Sequence, residues 1–187
     1  MAGGALVGSA FMPAGMGGKT GGSGSEAGAT NKVDSGGKYS VSTTESDIHF
    51  YVNTQGVALP ATGYRYMDSQ YFALTQDTMS APLSYFGFRA YSSGATARDG
   101  FQIFYEYGNS ASWSDARLRG EFDTLQLFGP EGFVNATVPL ANGGKGPGLE
   151  PFTSTYPQYG AGGQAQLVPL IPGSKVQFRK ITVLPSE

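Results

Sequence analysis

From Lys38 onward the chain is a series of short apolar or alternating segments separated by turn residues. Tyr39–Thr44 alternates, Ile48–Val52 is β-branched and aromatic, and Tyr64–Met67 follows a Pro60-Ala61-Thr62-Gly63 turn, so each predicts a strand. Gly120–Phe128 alternates with Phe122, Thr124 or Leu125 and Leu127 on its inner side, and Gly129-Pro130-Glu131-Gly132 ends it. Val134–Leu140, Gln164–Leu170 and Lys175–Leu184 predict three further strands, the last carrying Val176, Phe178, Ile181 and Val183. Two segments read as short helices: Asp68–Met79, starting at Asp68-Ser69, and Thr96–Tyr107 with Phe101, Ile103 and Phe104. Ala141–Gly148, with four Gly and one Pro, reads as a mobile loop. The expected fold is α+β: a small mixed or mainly antiparallel sheet with one or two short helices, preceded by a Gly-rich tail.

Composition sharpens that picture. A length of 187 residues with 40% hydrophobic and 13% aromatic side chains suits one core of moderate size. Of the 29 glycines, 12 lie in Met1–Gly37, which predicts a flexible linker over residues 1–38 and a folded domain over 39–187. That stretch lacks a basic start and has only short apolar runs, so it makes a poor signal peptide and cannot span a bilayer. The functional expectation is a connector to a larger protein; the alternative is an inconsequential terminus.

Charge and residue inventory then remove whole classes of chemistry. A formal net charge of −2, with 14% charged residues, rules out a nucleic-acid binder held by bulk positive charge. With no Cys there is no disulfide framework, thiolate zinc site or cysteine nucleophile. The single histidine, His49, sits in a strand pattern and reads as structural, and no metal site is expected. HExxH, GxSxG, GxxxxGK[ST] and GxGxxG are all absent from the sequence.

What remains is a set of polar and aromatic groups at segment ends. Arg65 lies between Tyr64 and Tyr66, and its planar fork of donors suits a diphosphate; a surface or ion-paired arginine is the alternative. Gly162-Gly163 precede a strand that begins near Gln166, an arrangement open to an amide nest with a neutral amide aimed into it, or to a simple hairpin turn. Tyr85, Phe86 and Phe88 offer faces for stacking a heterocycle, or for packing a core. Glu121 and Glu150 are the nearby carboxylates, suited to orienting a ribose hydroxyl or to facing water.

Leu59–Met67, Tyr85–Phe88, Trp113–Leu125, Glu150-Pro151 and Tyr156–Gln166, in this order, resemble the C-terminal toxin domains of bacterial polymorphic toxins of the RHS, contact-dependent-inhibition and LXG types. The resemblance spans roughly Val52 to Leu184. Within those toxins, the run from Tyr159 to Gln166 is similar to the signature of the tuberculosis-necrotizing-toxin type NAD glycohydrolases, whose Gly-Gly-Gly-Thr-Gln run ends in an active-site glutamine. Gly162 and Gly163 match it, Gln164 stands for the third glycine, Ala165 for threonine, and Gln166 falls on the glutamine. In that family an upstream arginine helps to hold NAD, and it would be Arg65 here; the long Arg/Gly/Pro-rich segment that follows the family's arginine is missing.

The resemblance implies cleavage of NAD, as substrate, at the nicotinamide–ribose bond. Gln166, Arg65 and Glu121 would be the catalytic groups, and Tyr64, Tyr66, Tyr85, Phe86, Phe88, Gly162, Gly163 and Glu150 the substrate contacts. It also implies a cognate immunity protein, a larger delivery protein upstream of the linker, and secretion or delivery into a target cell's cytoplasm, with no membrane or nucleic-acid partner. The alternatives are an ADP-ribosyltransferase that uses NAD to modify a macromolecule, a ribonuclease toxin, and a non-catalytic β-rich binding module.

Overall fold

The computed structural model describes residues 32–33, 39–43 and 49–187, so most of the expected linker lies outside the described residues. The chain divides into two compact units: Met1–Ala61 with Gly129–Phe133, and Thr62–Phe128 with Val134–Glu187. In the first unit, β1 (Lys32–Val33), β2 (Tyr39–Thr43), β3 (His49–Asn53) and β4 (Ala58–Pro60) pair antiparallel in chain order. The buried Asn53 side chain holds the β3–β4 turn, its Oδ1 accepting from Gln55 N and Val57 N and its Nδ2 donating to Gly132 O. His49 opens β3 with an exposed side chain.

The second unit carries a curled antiparallel sheet of seven strands. These are β5 (Thr62–Met67), β6 (Ser80–Pro82), β7 (Phe86–Gly87), β8 (Leu118–Asp123), β9 (Ala136–Thr137), β10 (Gln166–Pro169) and β11 (Lys175–Val183), in the order β6-β11-β8-β5-β7-β10-β9. β8 alternates buried and half-exposed positions, as its sequence period demands. Paired residues share a face, so Gly63 with Phe122, and Met67 with Leu118, point to one side, and Tyr64 with Glu121, and Tyr66 with Arg119, to the other.

The first face is packed by rings lying on glycines. A methyl at Gly63 would sit 2.5 Å from the Phe122 ring, and one at Gly120 would collide with Phe178. Phe122 is wholly buried and meets Phe86 edge-on at 5.4 Å. The opposite face is covered by α2 (Gly94–Phe101): Tyr66, Tyr91, Ala97, Ala116 and Leu184 form one buried cluster, with Phe101 and Ile103 against it.

The mixed α+β class is as expected, but several boundaries differ for local reasons. The Pro60–Gly63 segment is no turn, because Pro60 ends β4 and Thr62 already begins β5. α1 (Phe72–Thr78) falls inside the expected helix, after a single 3₁₀ turn whose Asp68 cap accepts from Gln70 N. α2 starts two residues before Thr96, on a Ser93–Thr96 capping box, and stops at Gln102, which takes a left-handed conformation. β8 ends at Asp123 because that side chain caps a 3₁₀ turn at Thr124–Leu127. Of Val134–Leu140 only Ala136–Thr137 is strand, with Pro139 unable to donate to a ladder. The Ala141–Gly148 loop is closed at its base by a Leu140–Leu149 bridge and by Ala141 N donating to Gly148 O. β4, β6 and β7 are too short to show a period.

Phe122→Ala is expected to cost about 3–5 kcal/mol, since it empties the space above Gly63 and beside Phe86. Chemical denaturation measures it; a loss below about 1 kcal/mol would place Phe122 outside the core that holds β5 to β8.

Candidate functional site

Arg65 follows the faces of β5 in pointing away from Tyr64 and Tyr66. Its Nη1 donates to the backbone carbonyls of Tyr66 (3.1 Å) and Tyr85 (3.0 Å), and its buried Nε has no partner. No carboxylate among the described residues lies within ion-pair distance of it. Burial therefore lowers its pKa to about 10, because nothing nearby compensates the charge. A half-buried guanidinium with an unpartnered donor can serve as an anion site.

Beside it stands Tyr85, 45% exposed, whose carbonyl holds Arg65. Burial raises the Tyr85 phenol pKa, and the Glu150 charge and the neighbouring Tyr156 push it further. Phe86 is buried and so not free to stack a ligand, whereas Phe88 is half-buried and meets Phe86 edge-on at 5.9 Å. Of the three expected stacking rings, Tyr85 is thus the exposed one.

The Gly162-Gly163 run is a tie, not an open nest. Gly162 N donates to Asp99 O and Gly163 N to Thr153 O, so neither amide is left for a ligand. Gly162 is required all the same: its φ is +68°, and a methyl there would run into Thr153 O and the Gln102 amide. Gln102 Nε2 donates to Gly160 O and its Oε1 accepts from Tyr156 N, stapling the same loop to the end of α2. Thr153 Oγ1 donates to Gly100 O and accepts from Gln164 N.

Gln166 is 6% exposed, and its Nε2 donates to Glu150 O at 3.4 Å. Glu150 is itself buried, with Oε1 accepting from Ser154 N and Thr155 N. Both side chains hold the segment from Glu150 to Gln164 in place. Gln166 pairs with Gly87, and Gly87 with Tyr64, which pairs with Glu121, so these residues form one transverse row on the face covered by α2. Three strand spacings separate Glu121 from Gln166, about 14 Å. The Phe101 ring lies over Gly87 and divides the row. Arg65 projects from the other face, so the register sets it apart from the row that carries Gln166 and Glu121.

Tyr66 is likewise core, not contact surface: its hydroxyl donates to Arg89 O and accepts from Tyr91 N. Tyr64 is half-buried under the Arg119 guanidinium, 5.7 Å from the ring centroid. Burial raises its pKa, Glu121 adds to the rise and Arg119 opposes it. Glu121 is half-exposed beside it, with Lys180 opposite on β11.

One cluster escaped the sequence reading. Phe104 stacks on Tyr159 at 4.9 Å, Tyr156 lies nearly parallel to Tyr159, and Trp113 meets all three edge-on. Phe104 and Tyr159 line an open cleft of about 460 Å³ together with Arg98, Asp99, Tyr105, Glu106 and Gln158. The signal was present as the Tyr156-Pro157-Gln158-Tyr159 run opposite Trp113, but contacts between residues over 40 positions apart carry no local period. Among the described residues no group of three or more His, Asp or Glu side chains is placed to hold a metal ion.

Burial holds the Tyr66 pKa at about 12, against 10 for a free phenol. Between those values the unfolded chain has lost a proton that the folded one keeps, so stability falls as pH rises from about 10 to 12. Tyr64, Tyr85 and Tyr91 shift in the same direction, and Arg65 opposes them. Tyr66→Phe is expected to lower stability near neutral pH by about 1 kcal/mol and to flatten the alkaline slope. Denaturation followed from pH 8 to about 11.5 checks both; an unchanged slope would remove Tyr66 as its source.

Compared with family models, curated proteins and solved structures, the chain matches none.

Proposed function

We propose that this chain is an effector-toxin domain that binds NAD and cleaves the nicotinamide–ribose bond, the activity implied by its resemblance to NAD-glycohydrolase toxins. The observation that supports the reading best is Arg65: a half-buried guanidinium with no carboxylate partner among the described residues, a buried, unpartnered Nε and a half-exposed tyrosine at its side. A diphosphate would supply the missing charge, and Tyr85 a face for a ring.

The chemistry asks little of acid–base groups. Nicotinamide leaves from a ring that is already cationic, so no proton is delivered to it, and positive charge moves onto the ribose as the bond breaks. Water adds at the ribose carbon and releases one proton, giving nicotinamide and ADP-ribose. Arg65 anchors the diphosphate, and the Glu150 charge, which already acts on Tyr85, stands where cationic character is favoured. Gln166 acts in this reading as a positioning residue that keeps the Glu150 segment seated. The reading carries with it a delivery protein upstream, an immunity protein that silences the domain in its producer, and entry into a target cell.

A second reading has one observation in its favour: Glu121 is half-exposed next to Tyr64, away from Arg65. A carboxylate so placed suits transfer of ADP-ribose to a macromolecule, and the product tells the two apart.

Purified protein is incubated with NAD, and nicotinamide and free ADP-ribose are followed together. Both are expected in equal amounts, with kcat/KM about 10–100-fold lower in Arg65→Lys at unchanged thermal stability. Nicotinamide released with label on protein or nucleic acid would move the assignment to transfer. NAD left intact, with and without cell extract, would overturn both readings.

A further inference from the structure

We propose that the cleft beside the aromatic cluster binds a sugar ring of a neutral saccharide, at a site separate from Arg65 and independent of the NAD reading. Its size, about 460 Å³, is ample for a ring with its substituents. Its apolar wall is rigid, because the Phe104–Tyr159 stack is braced edge-on by Trp113 and tied by Trp113 N donating to Phe104 O. A pyranose presents just such a C–H face to aromatic carbon.

The polar wall holds donors and acceptors with capacity to spare. Asp99 and Glu106 both line the cleft; Asp99 uses Oδ1 to accept from Ala161 N and Glu106 uses Oε2 to accept from Asn109 Nδ2, so each keeps a second oxygen with acceptor capacity. The exposed Gln158 amide makes no hydrogen bond among the described residues. Adjacent hydroxyls can donate to the carboxylates and accept from the Gln158 amide, matching groups of both kinds at once.

Charge narrows the ligand class. The one cation, Arg98, is already engaged, donating to Asp115 O and lying 4.8 Å over the Tyr105 ring, and it faces two carboxylates. An anion would meet repulsion from Asp99 and Glu106. A quaternary cation needs rings that enclose it, whereas these rings pack on one another and present a wall. A neutral polyol matches the aromatic wall and the mixed donors and acceptors together.

Trp113 is the single tryptophan and touches both Phe104 and Tyr159, so its fluorescence reports on the cleft directly. The protein is titrated with glucose, galactose, N-acetylglucosamine and xylose, and separately with choline and inorganic phosphate. Binding is read by fluorescence and, in parallel, by saturation-transfer NMR on the sugar. At least one neutral sugar is expected to saturate, and Gln158→Ala to weaken it about three- to tenfold with no change in Tm. The proposal is overturned if no sugar binds by either readout up to about 0.1 M. It also fails if only choline or phosphate saturates, or if Gln158→Ala binds as tightly as the native chain. None of these outcomes depends on whether NAD is cleaved.

Discussion

Close approach of aromatic rings to glycine backbone is the constraint on which the large sheet depends. Phe122 lies on Gly63 and Phe178 on Gly120 along one face, and Phe101 lies on Gly87 along the other. Each glycine removes a side chain where a ring needs to sit flat, so β5, β7 and β8 are clamped from both sides by rings they could not otherwise accommodate. Any side chain at those positions would push a ring outward. The high glycine content of the folded part is thus partly a packing device, and not only a source of turns.

The same device decides what becomes of the binding groups. Phe101 on Gly87 separates Tyr64 and Glu121 from Gln166, although all three lie in one row across the sheet. Buried polar side chains then secure the far end of the row. Glu150, Thr153, Gln102 and Gln166 spend their hydrogen bonds on the backbone from Gly160 to Gln164 and from Glu150 to Tyr156. A long irregular segment with its polar groups satisfied internally is held as firmly as a strand. Of these, Glu150 and Gln166 look functional in the sequence because they are polar and close to a Gly-rich run, and in the fold their hydrogen bonds also hold that run in place.

The two places proposed to take ligands differ in chemistry. Around Arg65 the charge is positive, with Tyr85 beside it and no carboxylate among the described residues at ion-pair distance. The aromatic cleft carries Asp99 and Glu106 against one occupied arginine. Tyr156 joins the two regions, stacking toward Tyr159 on one side and influencing Tyr85 on the other.

The α+β class, β11 and the positions of both short helices were legible in the sequence. Alternation in Lys175–Val183 and caps at Asp68 and Ser93 are local facts, set by neighbours within a few residues. Arg65 was legible too as a donor fork between aromatics. That no acid among the described residues pairs with it was not, since this depends on where distant segments come to lie. Strand register decided that Arg65 and Gln166 face opposite sides, because a period of two assigns faces only after pairing is known. Tertiary contacts alone consumed the Gly162 and Gly163 amides and brought Trp113 to Tyr156 and Tyr159. Hydrogen-bond partners and ring neighbours distant along the chain leave no trace in local pattern, and in this protein they determine which polar residues remain free to act.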